Sequence, residues 1–137
     1  MPPKVSVVIP VYNVGKQLEK CLDSVVAQTF PDIEIIVVND GSTDNSPEII
    51  ARYADKDSRI VVIDKSNEGL AYARKSGIEA AQGEYIQHLD GDDFLEPDAI
   101  ELLYNKAIEE DADMVVFPFW FDYVDEKKKR SSRPAPG

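Results

Sequence analysis

A single cysteine, a single histidine and a deficit of positive charge are the first things this chain of 137 residues tells by their scarcity. One thiol, Cys21, excludes an intramolecular disulfide and fits a reducing compartment. Fifteen Lys and Arg against 26 Asp and Glu leave a net charge of −11, which argues against a nucleic-acid partner, since phosphate backbones require a basic surface. No apolar run approaches the length of a transmembrane helix and no secretory signal opens the chain, so the expected location is cytoplasmic. Glycine is sparse, and proline and tyrosine follow the first apolar run where a glycine-rich dinucleotide fingerprint would stand. No phosphate-loop Gly-Lys-Ser/Thr occurs either.

What is present is an alternation of apolar runs with helical periodicity. Val5-Ser6-Val7-Val8-Ile9, Ile33 to Val38, Ile60 to Ile63 and Tyr85 to Leu89 read as strands, and Asp113 to Tyr123 as a last one. Between them Leu18, Cys21, Leu22, Val25 and Val26 share a helix face, which makes Cys21 a core residue in preference to a nucleophile. Ser46-Pro47 reads as an N-cap followed by a first-turn proline, and Leu70 to Ala81 as a helix of small residues ended by Gly83 in a C-cap role. Pro97 opens a helix whose Ile100, Leu103, Tyr104, Ala107 and Ile108 share a face. Strand then helix, repeated, predicts an α/β fold with a mostly parallel sheet, right-handed crossovers and helices on both faces. With 43% hydrophobic residues the length suits one core and not two. The aromatic run Phe117, Phe119, Trp120, Phe121 and Tyr123 reads as core and partner-facing surface, with Trp120 on the opposite strand face from its phenylalanine neighbours.

The chemistry-bearing residues gather at strand ends. Asp90-Gly91-Asp92-Asp93 puts three carboxylates within four residues after the fourth strand. Such oxygen ligands suit Mg²⁺ or Mn²⁺, and a Mg²⁺ site often takes one or two carboxylates plus substrate phosphates. Pro10-Val11-Tyr12-Asn13 ends the first strand and Asn39-Asp40-Gly41-Ser42-Thr43-Asp44 the second. Asp40 can accept hydrogen bonds from a base or ribose, Tyr12 offers a ring for stacking, and Gly41 and Gly91 would let the backbone come close to a ligand.

Plainer readings stand beside these. Asp40 to Asp44 is also a good turn and capping sequence, and Tyr12 taken alone is a packing residue. Arg74 is either a solvated charge or a reach toward phosphate, and the lone His88 reads as structural. The acidic run could simply cap the helix that follows it. An EF-hand loop from Asp90 needs glycine where Leu95 stands, and a receiver domain needs an acidic pair where Pro10-Val11-Tyr12 stands.

Four blocks occur in order: Val5 to Asn13, Val38 to Asp44, Asn67-Glu68-Gly69-Leu70-Ala71-Tyr72-Ala73-Arg74, and Leu89 to Asp93. From about Val5 to Tyr123 the chain resembles the nucleotide-binding half of glycosyltransferase family 2, inverting sugar transferases of the GT-A fold. The resemblance implies transfer of a sugar from a nucleotide-sugar donor, with a UDP-sugar expected, to an acceptor hydroxyl with inversion at the anomeric carbon. It implies that Pro10 and Tyr12 border the uracil and that Asp40 accepts from its ring N–H. Gly69 and Arg74 would lie beside the nucleotide and its diphosphate. Asp90-Gly91-Asp92 would be the family's Asp-x-Asp motif, Asp90 near the ribose and Asp92 on the metal, with Asp93 capping and orienting. Lys75 departs from the asparagine that the family often has.

The resemblance makes residues 1–124 a donor-binding domain and 125–137 a basic tail or the start of an acceptor-binding segment. No catalytic base is assigned, because the family's carboxylate base belongs to a later segment, expected beyond Gly137. The expected acceptor is a carbohydrate or lipid-linked hydroxyl, in surface polysaccharide or glycoconjugate assembly. The basic cluster Lys127 to Arg130 with Arg133 reads as a solvated tail or as a contact with an anionic membrane surface. The competing expectation is a non-catalytic nucleotide or nucleotide-sugar binding module.

Overall fold

The computed structural model describes residues 2–111 and 121–123. In chain order the elements are β1 (Val5–Val11), α1 (Gly15–Val26), β2 (Ile33–Asp40), α2 (Ser46–Lys56), β3 (Ile60–Lys65), α3 (Leu70–Ala80), β4 (Tyr85–His88), α4 (Ala99–Glu109) and β5 (Phe121–Tyr123). The sheet runs in the order β3-β2-β1-β4-β5, its first four strands parallel and β5 antiparallel to β4. The predicted α/β class and mostly parallel sheet are therefore present.

β1 is the axis of the molecule. Every one of its residues is buried, as expected for a central parallel strand covered on both faces. Val5 pairs with Ile33 on one side and with Tyr85 on the other. Val5, Val7, Ile9 and Val11 join Ile33, Ile35 and Val37 in one core with Leu18, Cys21, Leu22 and Val25 of α1, Ile49 and Ile50 of α2, and Ile100, Leu103 and Ala107 of α4. Each such aliphatic side chain contributes about 1.5–3 kcal/mol when fully buried. The opposite face is closed by α3, whose Ala73 packs with Ile36 and Val38. Gly77 lies so near the sheet that a Cβ there would come within 2.4 Å of Val8 Cγ1. Small residues in α3 thus permit close helix-on-sheet packing.

Several local expectations are corrected. The N-cap of α2 is Asn45, and Ser46 is already helical, its N–H donating to Asp44 Oδ1 at 2.9 Å. Helix α4 begins at Ala99, because the Pro97 carbonyl is engaged by the Thr29 N–H at 2.9 Å. Gly83 is no C-cap: α3 ends at Ala80 with Ala81 extended. Gly83 instead abuts β1, where a Cβ would meet Ser6 Oγ at 2.6 Å, Ser6 N at 2.7 Å and the Val5 carbonyl carbon at 2.9 Å. Ile108 is 49% exposed, unlike its four predicted partners on α4. Among the described residues no helix is long and apolar enough to cross a membrane. The predicted strand segment Asp113 to Trp120, the alternation of Phe117, Phe119 and Trp120, and the basic cluster after Lys127 lie outside the described residues.

Candidate functional site

β1, β2 and β3 step outward in one direction, whereas β4 lies on the other flank of β1. The strand order therefore reverses beside β1, and in open α/β sheets ligands bind in the crevice outside the carboxyl ends at such a reversal. The ladder runs past β4: Leu89 N–H donates to the Val8 carbonyl at 3.0 Å and Gly91 N–H to the Pro10 carbonyl at 3.2 Å. This draws the acidic run against the end of β1. Gly91 is buried, and a Cβ there would stand 2.9 Å from Val14 Cγ2 and 3.2 Å from the Pro10 oxygen. Close packing against Val14 and the end of β1 by itself favours glycine there. Gly41 is similar: at φ 72° a Cβ would lie 2.7 Å from the Asn67 nitrogen.

One carboxylate oxygen from each of Asp90, Asp92 and Asp93 lies within 4.8 Å of the others, with Asp92 and Asp93 exposed. Burial, then the charges of Asp92 and Asp90, push the Asp93 carboxyl above its ordinary value. Arg74 relieves one member, its Nη2 donating to Asp90 Oδ1 at 2.9 Å. Helix capping does not explain the cluster. α4 starts at Ala99, its N-cap is Asp98, and no side chain caps it. Closely spaced hard oxygens with one arginine fit a divalent cation of the Mg²⁺ or Mn²⁺ kind, whose charge would offset their repulsion. Beneath the cluster Cys21 is fully buried, its S–H 3.6 Å from the Asp90 carbonyl. Burial, then Asp93, Asp92 and Asp90, push its thiol up to about 12, so it stays protonated as a core residue.

Asp40, at the end of β2, is 1% exposed. Its Oδ1 accepts the Glu68 N–H at 2.9 Å and its Oδ2 the Gly69 N–H at 3.0 Å. Asn67 Nδ2 adds bonds to the Asp40 carbonyl at 3.0 Å and to Oδ2 at 3.4 Å, and Lys65 Nζ lies 3.9 Å from Oδ1. The carboxylate thus organises the segment ahead of α3; both lone pairs of Oδ2 are engaged, and one on Oδ1 is left for a ligand. Gly69 has φ 102°, a conformation that suits glycine, and open space where a Cβ would be.

Tyr12 is 43% exposed beyond β1. The next residue, Asn13, carries no role in the motif reading, yet its side chain ties the segment after β1 to the segment after β2. Its Oδ1 accepts the N–H groups of Thr43 at 2.8 Å and Asp44 at 3.2 Å. The only sequence signal for this is an asparagine two residues past the end of a strand, a residue type that tolerates left-handed backbone and bonds to nearby main chain. His88 is a buried strand residue in register with Val8. Six of the predicted residues are thus joined in pairs beyond the carboxyl ends of the strands: Pro10 with Gly91, Asp40 with Gly69, and Arg74 with Asp90. Among the described residues no such bond joins Tyr12 or Asp92 to another predicted residue.

The model of glycosyl transferase family 2 matches residues 6–135. Glycosyltransferase GlyA of Streptococcus pneumoniae is 48% identical over 113 residues, 82% of this chain and 16% of its own length. A hyaluronan synthase of Pasteurella multocida is 41% identical over 108 residues, 79% of this chain and 11% of its own. Among solved structures, TarS 1–349 of S. aureus in complex with UDP has a TM-score of 0.78 at 28% identity, covering 82% of this chain and 34% of that one. The mannosyltransferase PcManGT of Pyrobaculum calidifontis, in complex with GDP-Man and Mn²⁺, has a TM-score of 0.63 at 28% identity, covering 69% and 29%. The chain therefore spans about a third or less of each of these proteins.

Proposed function

Glycosyl transferase family 2 is the family to which this chain belongs, and on that premise we propose that it forms the donor-binding part of an inverting glycosyltransferase using a UDP-sugar. The observation that carries this reading is the Asp90–Asp92–Asp93 cluster, paired with Arg74 and set where the strand order reverses. A divalent cation, Mn²⁺ or Mg²⁺, would be held by Asp92 with its acidic neighbours and would neutralise charge on the departing diphosphate. Arg74 holds Asp90 in place and keeps a guanidinium beside the phosphates. Tyr12 and Pro10 border the base, and the remaining lone pair on Asp40 Oδ1 accepts its ring N–H.

The acceptor in this proposal is a carbohydrate or lipid-linked hydroxyl, and the setting is surface polysaccharide assembly at the cytoplasmic face of a membrane. The hyaluronan synthase relative supports the polysaccharide part of that setting. No residue of the chain is given the role of general base.

Two binding measurements test the reading. A cation completing its coordination with phosphate oxygens should bind weakly alone, so UDP and Mn²⁺ should raise each other's affinity, with Asp92→Asn removing most of the coupling. Titration calorimetry showing equal UDP affinity with and without Mn²⁺ would remove the metal assignment. UDP should also be preferred over CDP by about one to two orders of magnitude. Neutral cytosine presents an acceptor where uracil presents N–H, an unpaired group costing roughly 1–3 kcal/mol. Asp40→Ala should erase that preference. It should also loosen the start of α3, since the Glu68 and Gly69 N–H groups lose their acceptor. CDP displacing UDP at equal concentration would send the search to other donors.

A further inference from the structure

Asn13 has φ 51°, in the left-handed region that asparagine, aspartate and glycine tolerate best. Four hydrogen bonds hold it there. Its Oδ1 accepts from Thr43 N at 2.8 Å, Asp44 N at 3.2 Å and Thr43 Oγ1 at 3.5 Å, and its own N–H donates to Ser42 Oγ at 3.1 Å. Asp44 Oδ2 returns the link by accepting the Gly15 N–H at 3.0 Å, while Asn39 Oδ1 accepts the Ser42 N–H at 3.1 Å. The segments after β1 and β2 are therefore a single braced unit. Tyr12 stands on one side of the brace and Asp40 on the other.

We propose that Asn13 is a positioning residue for base selection, setting the spacing between the Tyr12 ring and the Asp40 carboxylate. This rests on the donor reading above. A base must be stacked and read along its edge at the same time, and hydrogen bonds weaken steeply once misaligned. The cluster of Asp90, Asp92 and Asp93 sits across β1, on the β4 side, and among the described residues none of its bonds passes through Asn13. Loosening the brace should therefore weaken discrimination between bases far more than attachment of the diphosphate.

The test is competition binding of UDP, CDP and inorganic diphosphate to the whole chain in the presence of Mn²⁺, with thermal unfolding followed in parallel. Asn13→Gly tolerates the backbone angle and deletes the acceptor. Asn13→Asp keeps both, and any effect of its added charge falls on both nucleotides and leaves their ratio intact. The expected result is a UDP-over-CDP ratio reduced to within about threefold in Asn13→Gly and retained in Asn13→Asp, with diphosphate affinity in Asn13→Gly within about twofold of the original. Should Asn13→Gly fail to fold, Ser42→Ala removes one strut and should lower the ratio in part. An Asn13→Gly protein that melts earlier but keeps the ratio would overturn the inference, as would equal losses for UDP and diphosphate. Absence of UDP preference in the unaltered chain would remove the donor reading as well, and that result precedes any substitution.

Discussion

Asp93 shows how a single carboxyl can hold a site in tension. Its ordinary value is 3.8, and burial together with the charges of Asp92 and Asp90 raises it in the folded chain. The folded state then binds that proton more tightly than the unfolded state does. Stability is therefore lost as pH rises from 3.8 through the raised value, and stays lost above it. Asp93→Asn should melt at a higher temperature than the original protein near pH 7, with the gap shrinking as pH falls toward 3 and also when Mn²⁺ is added. Thermal melts across that range check it, and a gap that is flat with pH would contradict the origin given to the shift. The acidic run itself was legible in the sequence, because its members are neighbours in the chain. Arg74 with Asp90, Asp40 with Glu68 and Gly69, and Asn13 with Thr43 were not, because each pair is brought together only when separate segments pack in the folded chain.

Among the elements, the strands β1 to β4 were read within a residue or two. β1 and β2 are β-branched runs buried on both faces, β3 keeps the β-branched run though it is largely exposed, and β4 is a short buried strand with an apolar start. Helix starts were read less well. Ser46 and Pro97 look like caps locally, but Asp44 and Thr29, from neighbouring segments, decide where the backbone turns. Gly83 was misassigned for the same reason, and with Gly77 it separates two kinds of close contact. At Gly77 the nearest obstacle is a side-chain methyl of Val8, whereas at Gly83 two of the three obstacles are backbone atoms of Ser6 and Val5. Gly77→Ala and Gly83→Ala should each destabilise by about 1–3 kcal/mol or more. Adding Val8→Ala should restore part of the loss at Gly77, while adding Ser6→Ala should restore little at Gly83. Urea denaturation of the two double variants decides this, and full rescue at Gly83 would mean that backbone proximity does not matter there.

At the scale of the whole molecule, Cys21 is a reporter. It is fully buried beneath the acidic loop, and its thiol is held up near 12 by burial, then by Asp93, Asp92 and Asp90. Thiol reagents act on the thiolate, so at pH 8 the folded chain should label slowly and the unfolded chain fast. Labelling should accelerate with urea in step with loss of the sheet. A saturating mixture of UDP and Mn²⁺ should slow it by the factor 1 + [L]/Kd that ligand binding to the folded state imposes. Rapid labelling that is indifferent to urea would show that the loop above Cys21 opens by itself.

The pairing of β1 carries a consequence for how the chain is made. Its first partner, β2, follows closely, and β3 can add to β2 as soon as it emerges. Its second partner is β4, so Val5 must wait for Tyr85. Pairings so distant in sequence are slow, because loop-closure entropy has to be met before the contact forms. A nascent chain that has built only β1, β2 and β3 already displays Tyr12 and Asp40 but has no acidic run beside them. One wall of the crevice is therefore finished early in synthesis, and the other forms only once β4 has joined β1 and brought the acidic run with it.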